Sequence, residues 1–501
     1  MPFPVLGSNS AVAGYEIDNS LRFGGDDHHL SMIYSSAASN LKTWTFSGWI
    51  KLGQAAHFSQ NYPNEKFILT SSDAAVSTTS IGYGGYTSGN AGGFHLNDGR
   101  SGTYIETTSK FRDPSAWYHL VVRYDSTQII ASDRIFIYVN GESQSLNYSN
   151  TGDPEVDLNT EVDFFRAGTN IDATSGSSGN FIHNINSYFN SGYDAIANSF
   201  DGYIADFYLI NAQSLAPTEF GETNENGVWI PKKYGGTFNS HSFKLEFKQT
   251  GSSADASGMG ADTSGQNNHF KIGINSTLDA TDQTIDTPTN NFCTFNPLDN
   301  AVLTLSEGNT KATHSSVSGG EENRATLGAA NGKWYFEFQI QHTVGSTNPF
   351  AVGMMSNTGR NPLESDLKTT EAFTSAWHSD ASSNRIESRV SGSATLLNCN
   401  LSYPDNGDII NVAMDLDNGR VFFGKNGTYI QDALSNTGNP STGANPPVSF
   451  TTGGHFYFPA IHNRGSQGLT VSLNTGNPSF SISSGNSDAN GYGNFEYAVP
   501  S

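Results

Sequence analysis

The sequence predicts an all-β protein of two antiparallel β-sandwich domains in series, joined by an irregular connector, and three observations carry that prediction. Hydrophobic residues make up 36% of the chain and charged residues only 14%, while 53 of the 501 residues are glycine. Short strands joined by Gly, Asn and Ser turns suit that mix, whereas exposed helix faces need Lys and Glu. The stretch Trp117–Glu142, WYHLVVRYDSTQIIASDRIFIYVNGE, alternates apolar and polar residues twice. Tyr118, Leu120, Val122 and Tyr124 mark one run and Ile135, Ile137 and Val139 the other, the period of half-buried strands. A second hairpin of the same style stands near residues 408–430. A chain of this length exceeds one ordinary core, so each hairpin is assigned its own domain.

Taken in order, residues 1–13 are irregular. YEIDNSLRFGG and HHLSMIY read as edge strands. In LKTWTFSGWIKL, Trp44, Phe46, Gly48 and Ile50 alternate with Thr43, Thr45, Ser47 and Trp49. FILTSSD is a further strand, and Gly82–Gly93 reads as a long Gly-rich loop carrying Tyr83 and Tyr86. GGFHLNDG and GTYIETTS lead into the central hairpin, which Asp125-Ser126 interrupts and Asn140-Gly141 ends with residues tolerant of positive φ.

Residues 144–199 are the least regular region, with Phe181, Tyr188, Phe189 and Tyr193 in an expected insertion. FDGYIADFYLINAQSL alternates again, Tyr203, Ala205, Phe207 and Leu209 opposing Ile204, Asp206 and Tyr208. SFKLEFK, at 242–248, closes the first domain, assigned to 14–250. FSGWIKL, WYHLVVRYD, IFIYVNGE and FDGYIADFYLIN resemble the laminin-G-like, concanavalin-type jelly roll. In that family W-x-H-x-x-x-x-Y-D … I-Y-V-N-G is the central hairpin and G-x-I-A-D-F a late strand.

Residues 251–310 are polar and aperiodic, with Pro288 and Pro297, and read as the connector. TIDTPTNNFCTFNPLDN within them resembles a junction segment, D-S-P-T-N-N-F-C-T-x-N-P-L, of bacteriophage virion proteins, where it lies between a jelly roll and a second sandwich. In the second domain, 311–501, Trp334, Phe336 and Phe338 of NGKWYFEFQI alternate with Tyr335 and Glu337. AVGMMS reads as a buried strand, and strands 409–416 and 420–424 meet at the turn Asp417-Asn418-Gly419. FYFPAIH and LTVSLNTGNPSF follow, and NGYGNFEYAVPS is expected to fold back on the sheet. The motifs G-K-W-Y-F-E, V-G-M, G-D-I-I-x-V-A-x-D, F-F-x-N-G and V-x-x-N resemble the SPRY sandwich.

The balance of 25 Lys plus Arg against 47 Asp plus Glu, a net charge of −22, argues against a nucleic-acid groove and against anionic membrane surfaces. Acidic loops offer carboxylates to Ca²⁺, yet Asp415-Leu416-Asp417-Asn418-Gly419 lacks the frame and terminal glutamate of a calcium loop, so no metal and no cofactor is expected. Asp26-Asp27-His28-His29 would point to opposite faces of a strand and reads as a solvated turn. Cys293 and Cys399 are too few for a disulfide framework and read as small apolar residues inside sheets. The start, MPFPVLGSNSAVAG, lacks the regions of a secretory signal, and no apolar run approaches a membrane span, so a soluble chain made in the cytosol is expected.

Jelly-roll glycosidases carry E-x-D-x-x-E on one strand. Here Glu161-Val162-Asp163-Phe164-Phe165-Arg166 puts an arginine where the second glutamate is required, so no enzyme is expected. No G-x-S-x-G elbow, Walker A loop or H-E-x-x-H helix is present, and His119 reads as packing within a strand. What remains are aromatic residues on Gly-rich loops: Tyr83, Tyr86, Phe94, Tyr188, Phe189 and Tyr193. They are candidates for glycan contact or for burial against a neighbouring subunit.

The resemblances together imply a non-enzymatic phage virion protein on the tail or capsid exterior, assembled in the host cytoplasm, such as a tail-fibre knob or adhesin that recognises a host surface or glycan. Its partners would be other virion proteins and further copies of itself, with a trimer as the leading form. The alternative is a capsid- or tail-surface decoration protein binding only virion neighbours. A polysaccharide depolymerase is the lesser one.

Overall fold

The computed structural model describes residues 14–24, 28–53, 65–73, 78–84, 92–99, 104–149, 155–171, 179–189, 196–197, 199–299, 303–314, 321–342, 350–357, 374–380, 383–390, 393–452, 454–463 and 469–501. The chain divides into two compact units between Asn290 and Asn291. Among the described residues, only single 3₁₀ turns interrupt the strands and loops, and no helix is long and apolar enough to cross a membrane.

The first unit opens with β1 (Ser20–Gly24), β2 (Leu30–Met32), β3 (Thr43–Leu52), β4 (Lys66–Ser72), β5 (Thr78–Tyr83), β6 (Phe94–Asn97) and β7 (Tyr104–Thr107). The central hairpin is β8 (Trp117–Asp125) and β9 (Ile135–Val139), followed by β10 (Glu142–Ser143), β11 (Leu146–Ser149) and β12 (Ile182–Ile185). Then come β13 (Tyr188–Phe189), β14 (Ile196–Ala197), β15 (Asp201–Asn211), β16 (Gly221–Thr223), β17 (Trp229–Pro231), β18 (Phe243–Leu245), β19 (Lys271–Ile272) and β20 (Gln283–Thr284). One sheet runs β10-β9-β8-β3-β15-β1-β20, with β18 also on β15; the other runs β11-β7-β6-β5-β4-β12-β2-β19. The facing sides of these sheets supply Trp44, Phe46, Ile50, Leu120, Val122 and Ile137 from the first, and Leu69, Ile81, Leu96, Ile105 and Ile185 from the second, to one buried core. Alternation along each strand decides this, because a one-residue slip would turn every apolar side chain outward. Asn140 and Gly141 take φ of 51° and 80° and form the two-residue loop joining β9 to β10, the backbone that an Asn-Gly pair favours.

Three expectations for this unit are corrected. β1 and β2 are not edges: β20 pairs beyond β1 and β19 beyond β2, both contributed by the stretch read as a connector. The irregular 144–199 region contributes β12, an interior strand between β4 and β2. In β15 the alternation breaks at a bulge between Ala205 and Tyr208, where Asp206 has φ of 46°. Ile204, Phe207 and Leu209 therefore enter the core, while Tyr203, Ala205, Tyr208 and Ile210 lie in clusters on the other face.

The second unit contains β21 (Thr304–Ser306), β22 (Lys311–His314), β23 (Glu321–Arg324), β24 (Lys333–His342), β25 (Phe350–Ser356), β26 (Thr374–Asp380) and β27 (Ser383–Val390). It continues through β28 (Ser393–Asn398), β29 (Ile409–Asp415), β30 (Arg420–Lys425), β31 (Thr428–Tyr429), β32 (Val448–Ser449), β33 (Tyr457–Asn463) and β34 (Leu469–Asn474). Its sheets are β21-β22-β34-β24-β29-β30-β31, with β32 on β30, and β23-β33-β25-β26-β27-β28. Phe336, Phe338, Val352, Ile410, Val412, Phe423 and Ile461 meet in its core, joined by Cys293 and Phe295 from the supposed connector. Residues 251–310 are thus shared out between the two cores. Cys293 and Cys399 are not joined in a disulfide.

Candidate functional site

Two of the sequence-predicted ligand residues are core residues. Tyr83 on β5 and Phe94 on β6 are fully buried, pack edge to face at 5.5 Å, and the Tyr83 hydroxyl donates to the Phe111 carbonyl oxygen at 2.5 Å. Neither ring faces outward, so neither is available to a ligand. Tyr86 and Tyr193 lie outside the described residues. Tyr188 and Phe189 form β13, which pairs with β14, and their side chains also lie outside the described set. The glycines misled: Gly82 sits inside β5 because the His95 ring packs over it, and a Cβ there would stand 2.6 Å from that ring.

The outward side of the β10-to-β20 sheet is the best-defined polar and aromatic surface of the unit, and most of it is covered. His119 on β8 is buried between Trp49, stacked at 4.7 Å, and Trp229 of β17 at 6.0 Å. Trp229 Nε1–H donates to His119 Nδ1 at 3.0 Å, and Nε2 lies 2.9 Å from Ser47 Oγ. Burial lowers the His119 pKa to about 3, so the ring is neutral at ordinary pH. Phe220 and Tyr234 cover Tyr208 in the same way.

The strained Asp206 is also buried here. Its Oδ1 accepts from the Tyr15 hydroxyl at 3.0 Å and the Tyr208 hydroxyl at 2.8 Å, with Lys244 Nζ at 3.7 Å. Burial pushes its pKa up to about 6, against the opposing pull of Lys244 and the two hydroxyls. Further along this face Lys51 Nζ meets Asp286 Oδ2 at 2.6 Å, and Trp117 Nε1–H donates to Asp286 Oδ1 at 3.0 Å.

At the β9 end the cover is partial, with Tyr138 packed against the Tyr208 cluster. Phe136 and Tyr138 stand half-buried on the outward phase of β9, their rings 6.0 Å apart and nearly parallel. The Arg123 guanidinium lies over the Phe136 ring at 5.1 Å, and its Nε–H donates to Ser214 Oγ at 2.7 Å. Two rings, a fixed cation and short polar neighbours on a rigid strand can stack on the C–H face of a sugar and hydrogen-bond its hydroxyls. Neither residue is among the candidates drawn from the sequence, although the signal is present there: large aromatics occupy the wet positions of an alternating strand, where polar residues are the norm.

Several described carboxylates of the unit are paired or buried. Arg166 Nε–H donates to Asp163 Oδ1 at 2.6 Å and an Nη–H donates to Glu161 Oε2 at 2.9 Å, which accounts for the arginine in that segment. On the outward side of the second sheet, burial pushes Glu65 up to about 7; the Tyr104 hydroxyl opposes this and the Glu106 charge adds to it. Glu106 itself is buried, beside His95 in the ladder, with Asn147 Nδ2 at 3.5 Å. Among the described residues no group of three His, Cys, Asp or Glu side chains is placed to hold a metal ion.

No protein-family model matches the chain, and no curated protein matches it. Solved structures similar to parts of it include the SPRY domain of human HERC1, 18% identical over 36% of this chain and 96% of that one, at a TM-score of 0.25. The TRIM65 PSpry domain is 14% identical over 36% of this chain and 89% of that one, at 0.25. A heptameric SAP-like pentraxin from Limulus polyphemus is 15% identical over 41% of this chain and 80% of that one, at 0.27. The class of protein is fixed by the strand order itself: an all-β chain of antiparallel sheets stacked into sandwich-like units.

Proposed function

We propose that this chain is a non-enzymatic recognition protein, working without a cofactor on the exterior of a phage particle, and that it contacts a host-surface glycan through Phe136 and Tyr138. The observation that carries the reading is the pair of half-buried rings on the outward phase of β9, braced by Arg123. The virion setting is supported by the resemblance of TIDTPTNNFCTFNPLDN to a virion junction segment, and an acidic chain suits crowding on a particle. Self-association, with a trimer as the leading form, belongs to the same reading. The test is retention of the full chain and of a Phe136→Ala/Tyr138→Ala variant on a panel of immobilised bacterial surface polysaccharides. Retention of the parent on one member, weakened about 10-fold or more in the variant, is expected. Equal retention of both contradicts the reading.

A second reading, a decoration protein binding only virion neighbours, is favoured by one observation. Ile129 and Ile130 at the β8–β9 turn are 89% and 62% exposed, and Leu158 is 50% exposed. The turn is braced, because Arg134 donates to the carbonyl oxygens of Gln128, Ile129 and Val156. Adjacent exposed isoleucines on a braced turn form an apolar patch of the kind a protein contact covers.

A further inference from the structure

We propose that Lys51 and Asp286 condense to an intramolecular isopeptide bond, a covalent clamp that would tie β3 to the segment following β20. The two side chains are 1% and 0% exposed and meet at 2.6 Å. Lys51 stands between Trp117 of β8 and Tyr203 of β15 in the ladder, with its ammonium 5.4 Å from the Tyr203 ring centre. Asp286 is held from the other side: Ser20 Oγ–H donates to its carbonyl oxygen at 2.5 Å, and Ser20 Oγ lies 2.7 Å from Thr284 Oγ1.

Away from water an ammonium–carboxylate pair loses much of its advantage over the neutral amine and acid, because desolvation penalises both charges. Transfer of one proton from Lys51 Nζ to Asp286 Oδ2 along the 2.6 Å contact produces that neutral pair. The amine lone pair then adds to Cγ of Asp286. Charge developing on Oδ1 falls on the atom to which Trp117 Nε1–H already donates at 3.0 Å, the arrangement of an oxyanion donor. The Cγ–Oδ2 bond breaks, a proton passes from the nitrogen to the departing oxygen, and one water leaves. The Nζ–Cγ amide remains, and no oxidant, reductant or further reactant is consumed. Holding the two groups in contact supplies the effective concentration that a condensation in water lacks. Both cysteines of the sequence lie beyond Asn290, so no disulfide braces this unit and the amide would be its cross-link.

The experiment is intact mass measurement of the denatured full chain, followed by proteolytic digestion. The expected mass is one water below that of the sequence, with a branched peptide joining the Lys51 and Asp286 segments. Lys51→Arg should return the mass to that of its own sequence. Asp286→Asn, which can lose ammonia instead, should yield a product of the same mass as the parent product. A parent chain at full sequence mass, with both peptides released separately, overturns the proposal and leaves a buried ion pair. So does a mass deficit that maps to other residues.

Discussion

Trp229 donates its indole N–H to Nδ1 of His119 across 3.0 Å, and that acceptance fixes the imidazole as the tautomer with its proton on Nε2, facing Ser47. The ring lies between two indoles, and protonating Nδ1 would cost both the hydrogen bond and the desolvation of a cation. His119 thus behaves as a structural dipole rather than as a base.

Among the described residues it is one of four buried imidazoles whose pKa burial lowers, and together they set a pH dependence. Burial lowers His29, His95, His119 and His183 to about 4, 3, 3 and 4. In the unfolded chain they titrate near 6.5. Between there and pH 4 the unfolded state binds protons that the folded state refuses, so stability falls as pH falls. Glu65, pushed up to about 7, and Asp206, to about 6, act in the opposite sense, because the folded state keeps their protons. Four groups against two leave the unfolded state about two protons richer near pH 5, a slope of about 2–3 kcal/mol per pH unit. Melting temperatures of the first unit should drop steadily from pH 6.5 to 4.5. A flat profile would mean the imidazoles are hydrated.

In the second unit Glu337 is the clamp for the chain's last residues. Its carboxylate accepts from the Tyr335 hydroxyl at 2.9 Å, Asn474 Nδ2 at 3.0 Å and the backbone N–H groups of Glu496 and Tyr497 at 3.1 and 2.9 Å. Glu337→Ala leaves four donors without their acceptor and should cost about 3–5 kcal/mol. Denaturant unfolding measures the loss, and amide exchange should speed up over residues 483–501. Unchanged exchange there would show that Phe495, packed on Tyr335 at 5.2 Å, holds the segment alone.

Gly141 has φ of 80°, and a Cβ on it would stand 2.5 Å from the Trp229 ring. Gly141→Ala should therefore destabilise by about 1–3 kcal/mol and tilt Trp229 off His119. Tryptophan fluorescence reports the displacement. The same spectrum and stability as the parent would contradict the packing described here.

Ile129→Ser/Ile130→Ser should leave stability within about 0.5 kcal/mol, since both side chains are largely exposed. If the chain decorates a particle through this turn, the variant should fail to be incorporated while melting normally. Normal incorporation removes the second reading.

Much of the fold was legible because alternation is a local signal. Tyr118, Leu120, Val122 and Tyr124 face the core as their period requires, as do Ile135, Ile137 and Val139. What defeated the reading was non-local. Nothing around Asp206 announces a bulge, which trades local strain for contacts with Tyr15 and Lys244, both far off in sequence. The 283–295 stretch has no periodicity because its residues act singly: Asp286 on Lys51, Thr289 on the Ile17 backbone, Cys293 and Phe295 in the second core. At the candidate site the sequence led toward glycine-flanked rings, two of which are core, while Phe136 and Tyr138 were hidden inside a well-read strand.

The most direct test of the account is hydroxyl-radical footprinting of the full chain, free and bound to a bacterial surface polysaccharide that retains it. The account predicts protection concentrated at Phe136 and Tyr138, with Tyr83 and Phe94 unreactive in both states because they are buried. Protection elsewhere, with Phe136 and Tyr138 equally reactive free and bound, would contradict it.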